Sequence, residues 1–227
     1  MKSLKNYIQE KLLIKKNKSN SYKYFPETKE ELKDIIVKRI KTEGNEVDLN
    51  DIDVSKITDM SYLFEETDFN GDISEWDVSN VISMYAMFWE CKSFNQDISG
   101  WDVSNVNTMA FMFNECKSFN QDISDWDVSK VTYMYAMFYS CKSFNKPLNN
   151  WDVSNVTDMQ GMFHKCEAFN QDISSWDVSN VTNMNRMFWG CNKFNQDISG
   201  WDVSNVKKMN NIFKDCSIEE KHKPKFK

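Results

Sequence analysis

The sequence has few histidines, no long apolar run and fewer basic than acidic residues. Each of these features excludes a class of function. The two histidines, His164 and His222, lie in different parts of the chain and outside any catalytic-triad or metal-site pattern. No run approaches 18 apolar residues, so we expect no membrane insertion. The net charge of -6 leaves no dominant basic stripe for nucleic acid. The sequence therefore predicts no enzyme, no cofactor and no nucleic-acid partner.

What the chain has in abundance is a 25-residue repeat. The segment from Trp101 to Asp125 recurs on both sides without a slip in register. Two residue types mark the period along the chain: Trp76, Trp101, Trp126, Trp151, Trp176 and Trp201, and Cys91, Cys116, Cys141, Cys166, Cys191 and Cys216. A fixed period of this length is typical of an array in which each unit buries its apolar face against its neighbours.

Within one unit the apolar spacing favours a helix followed by a short strand. Helical spacing is shown by Val81, Met84, Met87, Phe88 and Cys91, with Ser79 or Asn80 as the expected N-cap. Residues 101–103 alternate apolar, polar, apolar, as a strand does. One helix and one strand per unit predict the α/β class, as a right-handed β-α solenoid of about seven coils with parallel strands and an N-terminal capping helix.

The composition divides the chain into four parts. Residues 1–22 are basic and amphipathic, and we expect a helix or tail with a docking role. Residues 23–47 form a helical cap, in which Thr28 and Glu31 predict a capping box for a helix over residues 29–43. The repeat occupies residues 48–216, and a charged tail follows at 217–227.

Three polar rows accompany the repeat. The cysteines have no CxxC spacing and fall in the apolar sector, so we expect buried, reduced thiols and not a metal site. The aspartates before Val-Ser, from Asp77 to Asp202, and those before Ile-Ser, from Asp72 to Asp197, could bind calcium between units or accept N–H bonds in their own turns. The lack of a glycine-rich calcium pattern favours turns. The asparagines after each phenylalanine, from Asn70 to Asn195, are expected to bond the backbone of the next unit.

The motifs Trp-Asp-Val-Ser-Asn-Val, Met-x-x-Met-Phe-x-x-Cys and Phe-Asn-Gln-Asp-Ile-Ser resemble a bacterial surface-protein repeat. This repeat is found in BspA-like leucine-rich-repeat proteins and in mycoplasma lipoproteins of unknown function, and the resemblance covers residues 48–216. It implies a variant leucine-rich solenoid with roles in surface adhesion and protein binding, and it carries over no catalytic residue.

The start of the chain departs from surface members of that family. Residues 1–18 lack an apolar core with a cleavage site, Glu10 interrupts their hydrophobic residues, and no lipid-anchor cysteine is near. We therefore expect a cytoplasmic or virion-associated location, with the cell surface implied only by the resemblance. Two functions follow: a repeat protein that binds another protein, or a structural spacer or phage component docked through its N-terminal helix.

The residues that break the repeat give the best candidates for a binding face. On a helical wheel, positions equivalent to 85, 86 and 89 lie about 100 to 160° from the core sector and should face solvent. This chain places aromatic rings there: Tyr85, Trp89, Phe111, Tyr135, Tyr139, His164 and Trp189. Exposed aromatic rows are enriched at protein interfaces, although packing on the adjacent unit is an equally available role. The partner is predicted to be a protein.

Overall fold

The computed structural model describes residues 21–226. Over those residues the regular elements are one α-helix, α1 (Lys29–Glu43), and one 3-10 turn at Glu220–His222. Extended pairing is limited, in this part of the chain, to isolated parallel bridges and forms no strand. The predicted α/β class, with a helix and a strand in each of about seven coils, is therefore wrong. The predicted docking helix lies outside the described residues, except for its last two.

Helix α1 forms where the capping residues predict it. The Thr28 side chain accepts a hydrogen bond from the Glu31 backbone N–H at 3.2 Å, and the Glu31 carboxylate accepts one from the Glu27 N–H at 2.7 Å. Gly44 ends the helix with a positive φ of 93° that suits a residue without Cβ. Leu32 and Ile36 are buried, so the helix covers the first repeat unit.

The repeat backbone is a series of turns held from unit to unit. In the unit from residue 76, Ala86 and Glu90 have φ values of 53° and 56°, in the left-handed region. A helix cannot continue through such residues. The N–H groups of Met84, Ala86 and Phe88 instead donate to carbonyls of the next unit over 3.1, 2.9 and 2.9 Å.

The helical prediction fails because its apolar spacing fits two structures. Met84, Met87 and Cys91 are buried as the spacing requires. Their burial is achieved by successive turns, in which the Met87 N–H donates to the Met84 carbonyl and the Cys91 N–H donates to the Phe88 carbonyl. Bonds to the neighbouring unit replace the bonds four residues back that a helix would make, so Ser79 and Asn80 cap no helix.

Adjacent units stack in register, and a continuous core runs through them. Single parallel bridges join Ser83 to Thr108 and Thr108 to Tyr133, 25 residues apart. The Phe88 and Phe113 rings stack with centroids 5.6 Å apart. Trp126 is buried, as predicted, and its Nε1 donates to the carbonyl of Ile98, 28 residues earlier in the chain, at 3.2 Å. The apolar side chains and backbone polar groups of each unit are thus covered or bonded by neighbouring units.

Two of the polar rows, the cysteines and the asparagines, hold the units together. The Cys116 Sγ lies 2.8 Å from the Phe88 carbonyl oxygen, and this contact repeats in later units. All six cysteines are free thiols, and burial raises the pKa of Cys91 to about 11. The Asn70 side-chain oxygen accepts a hydrogen bond from the Asn95 N–H at 2.9 Å, which confirms the role predicted for the asparagines.

The aspartates close their own turns. The Asp122 carboxylate accepts the backbone N–H of Ser124 at 3.0 Å, and Asp127 accepts that of Ser129 at the same distance. The Ser124 N–H holds the pKa of Asp122 below its ordinary value. These contacts confirm the turn role that the sequence favoured. Between residues 21 and 226, no cluster of three or more histidine, cysteine or acidic side chains is arranged to hold a metal ion.

Candidate interaction surface

One side of the stack carries aromatic rings from successive units, and we name it the aromatic face. Its first row consists of Tyr62, Tyr85, Phe111 and Tyr135, with ring centroids 5.2, 5.5 and 4.6 Å apart in edge-to-face contact. Its second row consists of Trp89, Tyr139, His164 and Trp189. The two rows meet at Trp89 and Phe111, whose ring centroids are 6.2 Å apart. Edge-to-face pairs are favourable, so neighbouring units fix the rings in place.

A groove of about 720 Å³ opens in this face. Ala110 stands in its wall, at the position where the units before and after carry Tyr85 and Tyr135. The Phe111 ring lies between these two tyrosines and contacts both of them, with ring centroids 5.5 and 4.6 Å apart. Polar groups complete the lining: Asn107, Thr108, Thr132 and Asp158. The groove therefore offers apolar rings beside hydrogen-bonding groups.

Tyr133 is the most exposed aromatic residue of the groove. Its exposed fraction is 53%, whereas Tyr85, Phe111 and Tyr135 are half-buried. The corresponding positions in the neighbouring units carry Thr108 and Asp158, so the ring interrupts a polar row. An exposed aromatic ring beside a groove is a typical anchor for a partner.

His164 is buried within the second row. Its ring lies 4.5 Å from Tyr139 and 5.0 Å from Trp189, and its exposed fraction is 6%. Burial, together with the nearby positive charges of Lys165 and Arg186, lowers the pKa of His164 to about 4. Its Nε2 has no hydrogen-bond partner among the described atoms. The imidazole is neutral at pH 7 and contributes to packing.

Charged groups surround Trp189 at the other end of the row. The Lys214 Nζ lies 4.6 Å from the centroid of the indole, and the Arg186 guanidinium lies 5.3 Å from it. The indole N–H donates to the Asp215 carboxylate at 3.0 Å. Cation–π contacts of this kind hold the half-buried indole in one orientation. This end of the aromatic face is therefore ordered and rich in positive charge.

Of the two roles that the sequence left open for the seven candidate residues, facing solvent or packing on the adjacent unit, the structure shows packing. Six are half-buried, because each ring packs on a neighbouring unit, and His164 is buried. They also lie on turns and not on the outer face of a helix. Sequence reasoning missed Tyr62, Tyr133 and Ala110. Aligning the units would have shown Tyr133 as an aromatic residue in a polar row and Ala110 as a small residue where the neighbouring units carry tyrosine.

These features define a repeat protein whose units stack in register and display a partly exposed aromatic face. Within residues 21–226, no helix combines the length and apolar character needed to cross a membrane.

The chain belongs to the family described as Mycoplasma protein of unknown function, DUF285, whose model matches residues 34–145 and 121–226. The match supports the mycoplasma part of the resemblance seen in the motifs, and it does not describe the repeat as leucine-rich. No curated protein and no solved structure matches the chain.

Proposed function

We propose that this protein binds another protein through the aromatic face and catalyses no reaction. The observation that carries the proposal is the groove between Tyr85 and Tyr135, beside the exposed Tyr133 ring. Protein interfaces are enriched in tyrosine and tryptophan, which bring large contact areas with few rotatable bonds. The rings are held by their neighbours before a partner arrives, so little conformational entropy is lost on binding.

The polar lining gives the surface its selectivity. Asn107 and Thr132 contribute polar side chains on one side of the groove, and Asp158 contributes a carboxylate at its end. The Asp158 side chain accepts bonds from the Gln160 N–H at 2.8 Å and from Asn183 at 3.0 Å, which fix its position. A partner would place apolar side chains against the rings and hydrogen-bonding groups against this rim.

Site-directed photo-crosslinking tests the proposal. A benzophenone side chain introduced at position 133 in the full chain, expressed in its native cell, should form an adduct with a protein on irradiation. The same group at position 37 is the matched control, because Val37 is also 53% exposed but lies on α1. Adducts at position 133 and none at position 37 support binding through the aromatic face.

A second variant separates binding at the aromatic face from non-specific adsorption. Phe111→Ala removes the half-buried ring that contacts both tyrosines of the groove, and it should reduce the adduct yield at position 133 by about tenfold or more. Unchanged crosslinking in this variant, or equal crosslinking from positions 133 and 37, would contradict the proposal.

A further inference from the structure

Charged residues beside the aromatic face reverse their order along the stack. In the unit before the central one, Glu115 precedes Lys117, with their charged groups 3.6 Å apart. In the unit after it, at the equivalent positions, Lys165 precedes Glu167. The central unit, residues 126–150, carries the uncharged Ser140 at the first of these positions. The charge pattern is thus inverted about the central unit.

The inversion is limited to the two units that flank the central one. Glu90, one unit beyond Glu115, pairs with Lys92 at 3.7 Å, and the equivalent position on the other side is the uncharged Gly190. At the end of the stack, the positive charge of Lys214 near Trp189 is accompanied by the Asp215 carboxylate. The opposite charges at equivalent positions are therefore those of Glu115 and Lys165 and those of Lys117 and Glu167.

A surface with this pattern is complementary to a copy of itself turned end to end. A two-fold axis across the stack, at the central unit, would place each row against the same row running in the opposite direction. Glu115 would then face Lys165 of the second copy, and Lys117 would face its Glu167. Both contacts join opposite charges, and the symmetry forms each of them twice.

The aromatic residues follow the same symmetry. Tyr133 and Tyr139 lie in the central unit, so each would meet its own equivalent at the axis. Trp89 lies two units before the centre and Trp189 two units after it, so these two rings would face each other. Lys142 also lies at the centre, where it would approach its own copy, but Glu167 of its own chain holds it at 2.8 Å and offsets its charge.

We propose that the occupant of the aromatic face is a second copy of this chain, bound antiparallel, with Glu115 paired to Lys165 and Trp89 to Trp189 across a two-fold axis. This rests on the proposed function, because it names the partner of the same surface. The charges select the antiparallel register, and the rings supply most of the contact area.

Sedimentation equilibrium of the full chain over a wide concentration range measures the dimer directly. Glu115→Lys and Lys165→Glu each place like charges opposite one another at two symmetric contacts, and each should raise the dimer dissociation constant by about tenfold. Combining the two substitutions restores opposite charges in reversed order, and the constant should return to within about threefold of the original. Asp125→Lys is the control, since Asp125 is exposed and belongs to neither row.

The outcomes separate this inference from the proposed function. A dimer weakened by each single reversal and restored by the pair supports the antiparallel copy, as does a photo-adduct at position 133 of twice the chain mass. A chain that stays monomeric, or a dimer indifferent to both reversals, overturns the inference. An adduct at position 133 with a different protein would then preserve the proposed function, whereas the absence of any adduct would overturn both.

Discussion

Gly71 shows at the scale of one residue how closely the first unit packs against the segment before it. A Cβ at this position would lie 2.0 Å from the Val47 carbonyl oxygen, and later units carry Gln96 and Gln121 there. The backbone must move to admit even one methyl group. Gly71→Ala should therefore lower the free energy of unfolding by about 1 to 3 kcal/mol, measured in urea.

Gly100 provides the matched control. A Cβ there meets no atom within 4 Å, so Gly100→Ala should leave stability unchanged or raise it by less than about 1 kcal/mol. Equal losses in the two variants would show that the contact with Val47 does not determine the choice of glycine.

The contribution of His164 to the free energy of unfolding depends on pH. Its pKa of about 4 in the folded chain lies below the ordinary value of 6.5, so the unfolded chain takes up the proton first as pH falls. The stability from the neutral ring is therefore complete above about pH 6.5 and is lost as pH falls through about 4. We expect a loss of roughly 2 to 3 kcal/mol across this window, measured by urea unfolding at several pH values.

His164→Phe separates this effect from other titrations. Phenylalanine keeps a ring between Tyr139 and Trp189 but has no proton to gain. The carboxylates titrate in both proteins, so the difference between their two pH profiles isolates the histidine. Parallel profiles between pH 7 and pH 4.5 would contradict the pKa assigned to His164.

At the scale of the element, the structural unit is the 25-residue repeat. Each interior unit donates backbone N–H groups to the next unit and accepts them from the preceding one, as the Met84 bond to Thr108 and the Met109 bond to Tyr133 illustrate. Removing residues 126–150 joins Asp125 to Trp151 in register. We expect a folded chain with a cooperative thermal transition and a lower Tm, because one set of contacts between units is lost.

A deletion out of register is the control for this prediction. Removing residues 126–137 deletes about half a unit, so the phenylalanine and tryptophan rows no longer meet their equivalents. That variant should lose cooperative unfolding in calorimetry. If both deletions unfolded alike, the register of the stack would not be what stabilises the protein.

The two kinds of element differ in how well local sequence predicts them. Helix α1 is confirmed within its predicted bounds because Thr28, Glu31 and Gly44 supply local caps. The repeated helices were predicted from apolar spacing alone, and that spacing also fits successive turns that bury Met84 and Met87. Where caps and spacing agree, the local sequence determines the element. Where only apolar spacing is available, the hydrogen bonds between units determine the backbone conformation.

At the scale of the whole molecule, the rows extend unbroken because the period is constant. Phenylalanine rings stack from Phe88 through Phe188 with neighbouring centroids 5.6 or 5.7 Å apart. The indole N–H groups from Trp76 to Trp201 each donate to a backbone carbonyl 27 or 28 residues earlier in the chain. A residue that breaks a row therefore changes the surface locally and leaves the stack intact, as Ala110 and Tyr133 do.

The sequence by itself determined the period, the capping helix, the buried tryptophans, the burial of five of the six cysteines and the turn-closing aspartates. Each depends on residue type and spacing, which the chain displays directly. Only the tertiary structure decided the backbone of the unit, the burial of His164 and the groove at Ala110. The reason is physical: the N–H groups of Met84 and Ala86 are satisfied by a neighbouring unit, and a ring's exposure depends on the unit beside it.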